Sequence, residues 1–190
     1  PTSWNFNKDL FKHPLLLKIF SEANEGSENI NISIDNVFQS FDKYYENIIK
    51  KVTENDSLSK RNINSRISQL CGKLWTNSSR DIDIVDFVSI IDPQSEKLSG
   101  SFADKILDEG LCLFQRNLDE VENEKIQFAY DLVAGYLIAS KVLLAEVKTA
   151  DELVKYLSNN DLKNKLFDED LAHPLAEDIM ISLLYLLPTK

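Results

Sequence analysis

Ser101-Phe102-Ala103-Asp104-Lys105-Ile106-Leu107-Asp108-Glu109-Gly110-Leu111-Cys112-Leu113-Phe114, answered after a polar loop by Lys125-Ile126-Gln127-Phe128, is the stretch that decides the fold. Ser101 and Asp104 have the spacing of a helix-capping pair. Gly110 stands where a glycine ends a helix, because it enters left-handed backbone without a Cβ penalty. The period of the sequence then changes. Leu111, Leu113 and Phe114 form a short apolar run, and Lys125 to Phe128 alternates. Between them residues 117–124 are polar and acidic. This pattern predicts two short strands joined by a polar loop, a hairpin, and no other segment carries a β pattern.

Outward from the hairpin, helical periodicity dominates. Upstream, Asp83 can cap a helix through Ile91 that stops before Pro93, and Ile63, Ile67, Leu70, Cys71 and Leu74 mark a narrow apolar stripe on another helix. Further back, Pro14 opens a helix with Leu15, Leu16, Ile19, Phe20 and Ala23 inward. Asp35 can cap the next, which carries Val37, Phe38, Phe41, Tyr45, Ile48, Ile49 and Val52. Downstream, a long helix has Leu132, Tyr136, Ala139, Ser140 and Leu143 on one side. Thr149 and Glu152 form a capping-box pattern for a helix through Leu157, residues 161–167 form a short helix, and Pro174 begins the last. Over residues 61–147 the order is helix, helix, helix, two-stranded hairpin, helix, which is the order of a winged helix. The expected class is mainly α: a helical domain over 1–56, a winged helix over 57–147, and further helices over 148–190.

Composition narrows the function. The 190 residues are 43% hydrophobic and 27% charged, the balance of an ordinary globular chain. No apolar run reaches the roughly 18 residues of a membrane span, and no Lys/Arg-led apolar segment resembles a signal peptide. With 31 acidic and 21 basic residues the net charge is −10, a field that repels a nucleic-acid duplex. Two cysteines, Cys71 and Cys112, cannot build a disulfide framework, so buried cytosolic thiols and a cytoplasmic chain are expected. The chain opens at Pro1 and its one methionine is Met180. A processed chain, or a piece of a longer protein, is the expectation.

The catalytic inventory is thin. Neither a P-loop nor a Gly-x-Gly-x-x-Gly pattern occurs, so no ATPase activity and only weak ATP binding are expected of the chain by itself. His13 and His173 each precede a proline and lie far apart, which reads as helix-start packing or exposure. Cys71 falls on its helix's apolar stripe; Cys112 should face away from Leu111 and Leu113, and its role stays open. Asp108-Glu109 and Asp168-Glu169-Asp170 read as solvated faces, and no metal site is expected. One local charge anomaly is basic: residues 57–80 hold Lys60, Arg61, Arg66, Lys73 and Arg80 and no acid. That segment either faces an acidic neighbour within the protein or meets phosphate. Trp4 and Phe6, ahead of the first helix, suit an opening left by a neighbouring domain.

Two segments together resemble a known family. The first is His13-Pro14-Leu15-Leu16-Leu17-Lys18-Ile19-Phe20-Ser21-Glu22, followed by Phe38-x-x-Phe41-x-x-Tyr44-Tyr45 and a basic-tailed helix. The second is Leu107-Asp108-Glu109-Gly110-Leu111, then Ile126-Gln127-Phe128-Ala129-Tyr130-Asp131, then Tyr136-Leu137-Ile138-Ala139. Over roughly residues 10–147 this is similar to the region of STAND-class NTPases of the NACHT type that follows the P-loop domain. The resemblance implies a helical domain and a winged helix that switch a signalling ATPase, as in many bacterial defence proteins. It implies ATP or ADP with magnesium in the parent protein and no cofactor held by this piece. The implied partners are the P-loop domain of the same chain and, on activation, further copies; no membrane is implied. Pro14 matches the family's adenine-lining proline. Tyr130, beside Asp131, stands where the family has a phosphate-reading histidine, so the position keeps a hydrogen-bond donor and loses a positive charge. Two other classes fit the residues: a winged-helix nucleic-acid binder using residues 101–109 and the wing, and a helical interaction scaffold. The first of these would have to bind phosphate with an acidic helix and an acidic loop.

Overall fold

The structure, a computed structural model, describes residues 14–23, 34–54, 57–95, 97–115, 124–145, 147 and 149–187. Trp4, Phe6, His13 and the acidic loop of the hairpin lie outside the described residues. The chain divides into two compact units, Pro1–Ile48 and Ile49–Lys190, with the division falling inside one helix. The architecture is mainly helical with one small antiparallel sheet. No helix among the described residues is long and apolar enough to cross a membrane.

The first unit holds α1 (Pro14–Ala23) and most of α2 (Ile34–Val52). Proline at the first helical position of α1 forfeits only an N–H that has no intrahelical partner. Along α2, Phe38, Phe41, Tyr44, Tyr45 and Ile48 are buried at the three- and four-residue spacing of one face. Phe38 and Phe41 meet edge to face, with centroids 5.3 Å apart. The helix starts at Ile34, so Asp35 lies inside its first turn and is not its cap.

The second unit is built on α3 (Ser57–Thr76), whose expected stripe from Ile63 to Leu74 is buried. Then come β1 (Asp81–Asp83), α4 (Ile84–Ile91), α5 (Phe102–Asp108), β2 (Cys112–Gln115) and β3 (Lys125–Phe128). β3 is the central strand, with β1 and β2 antiparallel on either side. Helix, strand, two helices and a hairpin whose second strand lies between the other two is the connectivity of a winged helix. The hairpin is where the sequence pattern puts it, with Cys112 opposite Phe128 and Phe114 opposite Ile126. The third strand corrects the expectation of a lone hairpin. Asp81-Ile82-Asp83 is too short to show alternation, and it becomes a strand because its backbone pairs with β3.

The caps of α5 are close to those expected. Ser101 Oγ accepts from the Asp104 N–H at 3.1 Å, while the Asp104 carboxylate accepts from Gly100 instead of Ser101. At the other end Gly110 has φ +74°, Leu111 N–H donates to Ile106 O at 3.2 Å, and Gly110 N–H donates to Leu107 O at 3.0 Å. That is a Schellman termination. Asp83 does sit at the N-cap of α4, but its side chain makes no cap bond; Ile84 N–H instead donates to Glu124 O at 3.1 Å.

Four helical segments follow the sheet: α6 (Asp131–Ile138) running into a π-helical turn (Ala139–Leu143), α7 (Ala150–Leu157), α8 (Asn160–Phe167) and α9 (Ala176–Leu186). The capping box of α7 is complete, with Thr149 and Glu152 exchanging bonds of 3.1 and 3.2 Å. The long helix after the hairpin departs from expectation: residues 133–139 are buried without interruption, not on one side only. It packs against α3 and against α9. Gly135 makes the second contact possible, because a Cβ there would lie 2.6 Å from the backbone carbonyl carbon of Asp178. The last helix begins at Ala176 and not at Pro174, which is exposed in the turn before it.

Candidate functional site

Pro14 and Tyr130 are the two residues expected at the nucleotide. Pro14 is the first residue of α1 in the first unit; Tyr130 belongs to the second unit, where β3 hands over to α6. Tyr130 has extended backbone (φ −143°, ψ 123°) and is the N-cap residue of α6, yet its side chain makes no cap bond. Its carbonyl accepts the Ala134 N–H at 3.0 Å, and the side chain is half-buried. A tyrosine here is oriented by the strand before it and the helix after it.

Next to Tyr130, Asp131 in the first turn of α6 pairs with Arg80 at 2.8 Å. Arg80 enters from the loop between α3 and β1. Asp178, in the first turn of α9, lies against Gly135, one helical turn along α6 from Asp131. Burial, then the Asp131 and Glu177 carboxylates, push its carboxyl up to about 6, against a smaller opposing pull from Arg80. In the sequence Arg80 belongs only to a basic run, with nothing to connect it to Asp131 or Asp178. These three come from separate elements, and no local spacing announces their meeting.

The basic segment resolves in part as internal compensation. Lys73 pairs with Asp86 at 2.7 Å, Arg80 pairs with Asp131, and Arg66 donates to the Gln69 amide oxygen at 3.3 Å. α5, the helix that would enter a groove of nucleic acid, is likewise engaged by its own chain. Lys105 pairs with Glu54 at 2.8 Å, and Glu109 pairs with Lys51 at 3.1 Å. Both partners belong to the last turn of α2 and the residues just after it, within the second unit. Hydrogen bonding to Lys105 and its charge hold the Glu54 carboxyl below its usual value.

The remaining candidates have structural employment. His173 is buried and stacked on Trp75, with ring centroids 5.4 Å apart. Its Nδ1 accepts from Leu175 N–H at 3.0 Å, so Nε2 carries the proton and donates to Leu74 O at 3.1 Å. Burial lowers its pKa, the Leu74 carbonyl opposes that, and the Lys165 charge adds to it. Cys71 and Cys112 are both free and fully buried. Burial pushes the Cys71 thiol up to about 12 and the Cys112 thiol further, the reverse of what a nucleophile needs. Cys112 faces the core, opposite in sense to the exposed Leu113; Leu111 is buried too because it precedes the strand. Glu109 is committed to Lys51, and Asp168 accepts from Asp170 and Leu171 N–H in a turn. No protein-family model and no curated protein matches this sequence.

Proposed function

We propose that this chain is a non-catalytic regulatory part of a STAND/NACHT-like signalling ATPase, coupling nucleotide state to conformational switching and oligomerisation. The observation that carries the reading is the engagement of α5. Its one basic side chain, Lys105, is spent on Glu54, and Glu109 on Lys51, so the helix serves contacts within its own chain. A winged helix used that way is a joint between parts of a protein. On this reading ATP or ADP with magnesium sits in a P-loop domain of the same cytoplasmic parent, Pro14 lines the adenine, and the Tyr130 hydroxyl reports on the nucleotide. Self-association follows release of the closed state, in a signalling or bacterial defence role.

The experiment is Tyr130→Phe in the intact parent protein, which removes one hydroxyl from a half-buried ring. ADP retention or basal activation should change while thermal stability stays near wild type. Wild-type retention and activity would remove the sensing role from Tyr130. In parallel, titration of duplex DNA should show no useful binding at physiological salt. Tight, salt-sensitive binding would transfer the case to a winged-helix nucleic-acid binder.

A further inference from the structure

The contact between α6 and α9 combines a close backbone approach with like charges. Gly135 lets α9 in so far that a methyl group at that position would overlap the backbone and Cβ of Asp178, at 2.6 and 2.7 Å. The Asp178 side chain therefore leaves its backbone right against α6, where it is half-buried. One turn back on the same face of α6 stands Asp131. Glu177 is the neighbour on α9 itself, and Arg80, from the loop before β1, is the one cation acting on Asp178 among the described residues. It is already bonded to Asp131 at 2.8 Å. Asp131 and Asp178 thus share one guanidinium, with Glu177 adding a further like charge, at a contact too tight to admit a side chain at Gly135. The first-turn N–H groups of α9 favour a negative charge there, but only in part against burial and two carboxylates.

We propose that the α6–α9 seam is a proton-sensitive latch: protonation at Asp178 draws α9 onto the winged helix, and deprotonation leaves the seam under electrostatic load. The inference is independent of the nucleotide-switch reading, since it concerns only residues that meet in this unit. The direction follows from linkage. A carboxyl whose folded value is raised from 3.8 to about 6 makes its full contribution below the unfolded value and loses it as pH rises through the folded one. Near neutral pH the latch is therefore at its loosest, and mild acidification tightens it.

The test is amide hydrogen exchange of α9 in the full chain, comparing wild type with Asp178→Asn at pH 7.5 and pH 5. The comparison between the two proteins at each pH cancels the separate titration of His173. The variant should raise α9 protection at pH 7.5, by at most the roughly hundredfold that a shift from 3.8 to about 6 allows, and by clearly less at pH 5, where the seated carboxyl is largely protonated. A gain of equal size at both pH values, or a loss at pH 7.5, overturns the proposal. A carboxyl-carbon NMR titration provides a second measurement that needs no variant of Asp178. Its midpoint should fall in Asp131→Asn, and an unmoved midpoint would remove Asp131 from the latch.

Discussion

Two of the seams at which the winged helix meets the rest of its unit are held by opposite means. At one, α5 faces the end of α2 through two exposed pairs of opposite charge, Lys105 with Glu54 and Lys51 with Glu109. At the other, α6 faces α9 through buried side chains and a glycine contact, with carboxylates of the same sign at its edge. Exposed ion pairs contribute little to stability and are screened by salt, but they set which surfaces meet. Buried contact contributes much more and responds to volume and protonation. The lesson is that the α5 seam should yield to ionic strength and the α9 seam to pH and to added atoms.

The largest effect should come at the buried anchor of α9. His173 holds the turn before that helix to the end of α3 by accepting from Leu175, donating to Leu74 and stacking on Trp75. Lys165 completes the arrangement, 4.9 Å above the Trp75 ring and donating to the Trp75 and Thr76 carbonyls. His173→Leu keeps the volume but leaves the buried Leu175 N–H unpaired and removes one of the two bonds to the Leu74 carbonyl, which keeps the Ser79 N–H, and should cost roughly 2–3 kcal/mol in urea unfolding. Only the neutral imidazole can accept from Leu175. Its contribution is complete above the ordinary value of 6.5 and is lost as pH falls through the lowered folded value. Stability measured against pH should therefore fall on the acid side in wild type, and this part of the fall should vanish in the variant. A His173→Leu chain as stable as wild type, with the same acid limb, would show that α9 is anchored elsewhere.

A smaller loss is expected at Gly135. Alanine is better in a helix by about 1 kcal/mol. Here, however, the methyl group meets backbone rather than a flexible side chain, at 2.6 Å from a carbonyl carbon and 2.9 Å from its oxygen. Overpacking of that kind costs about 1–3 kcal/mol. Gly135→Ala should thus lower stability by up to about 2 kcal/mol net in denaturant titration, with an unchanged slope. A gain in stability would mean that α9 can withdraw freely, and the contrast between the two seams would lose its basis.

What could be read from the sequence follows the range of the interactions. Ser101 with Asp104, Thr149 with Glu152, and the stop at Gly110 are contacts within one helical turn, and the spacing of residue types revealed them. The hairpin was legible because apolar residues change period at Leu111. β1 was not, since three residues have no period and its strand character comes from β3, far along the chain. Burial of α6 on every side was written in the unbroken run from Leu132 to Ala139, and only the identity of the element covering its outer face, α9, was hidden. The place of Tyr130 at a strand-to-helix junction followed from the hairpin. The grouping of Arg80, Asp131 and Asp178 beside it did not, because a single close approach at Gly135 assembles it. Glycine within a helical run was the one local sign of that approach.

The smallest expected effect probes the α5 seam through the backbone. Besides Gly110, two residues close helices in the left-handed region without being glycine: Ser78, φ +48°, and Glu54, φ +52°. Ser78 ends α3 with Ser79 N–H bonded to Leu74 O at 3.0 Å and its own N–H to Trp75 O at 3.3 Å, the same termination that Gly110 gives α5. Glycine relieves the Cβ conflict of that conformation, so Ser78→Gly should stabilise by roughly 0.5–1 kcal/mol, reduced somewhat by the greater freedom of glycine in the unfolded chain. Glu54→Gly makes the same backbone change but also removes the partner of Lys105. It should therefore gain less than Ser78→Gly at low ionic strength. In concentrated salt, where the Lys105 pair is screened in wild type, the two gains should converge. Thermal melts of both variants at low and high salt measure this directly. If the difference between them is independent of salt, Glu54 is held against α5 by something other than charge, and the opposition between the two seams would have to be redrawn.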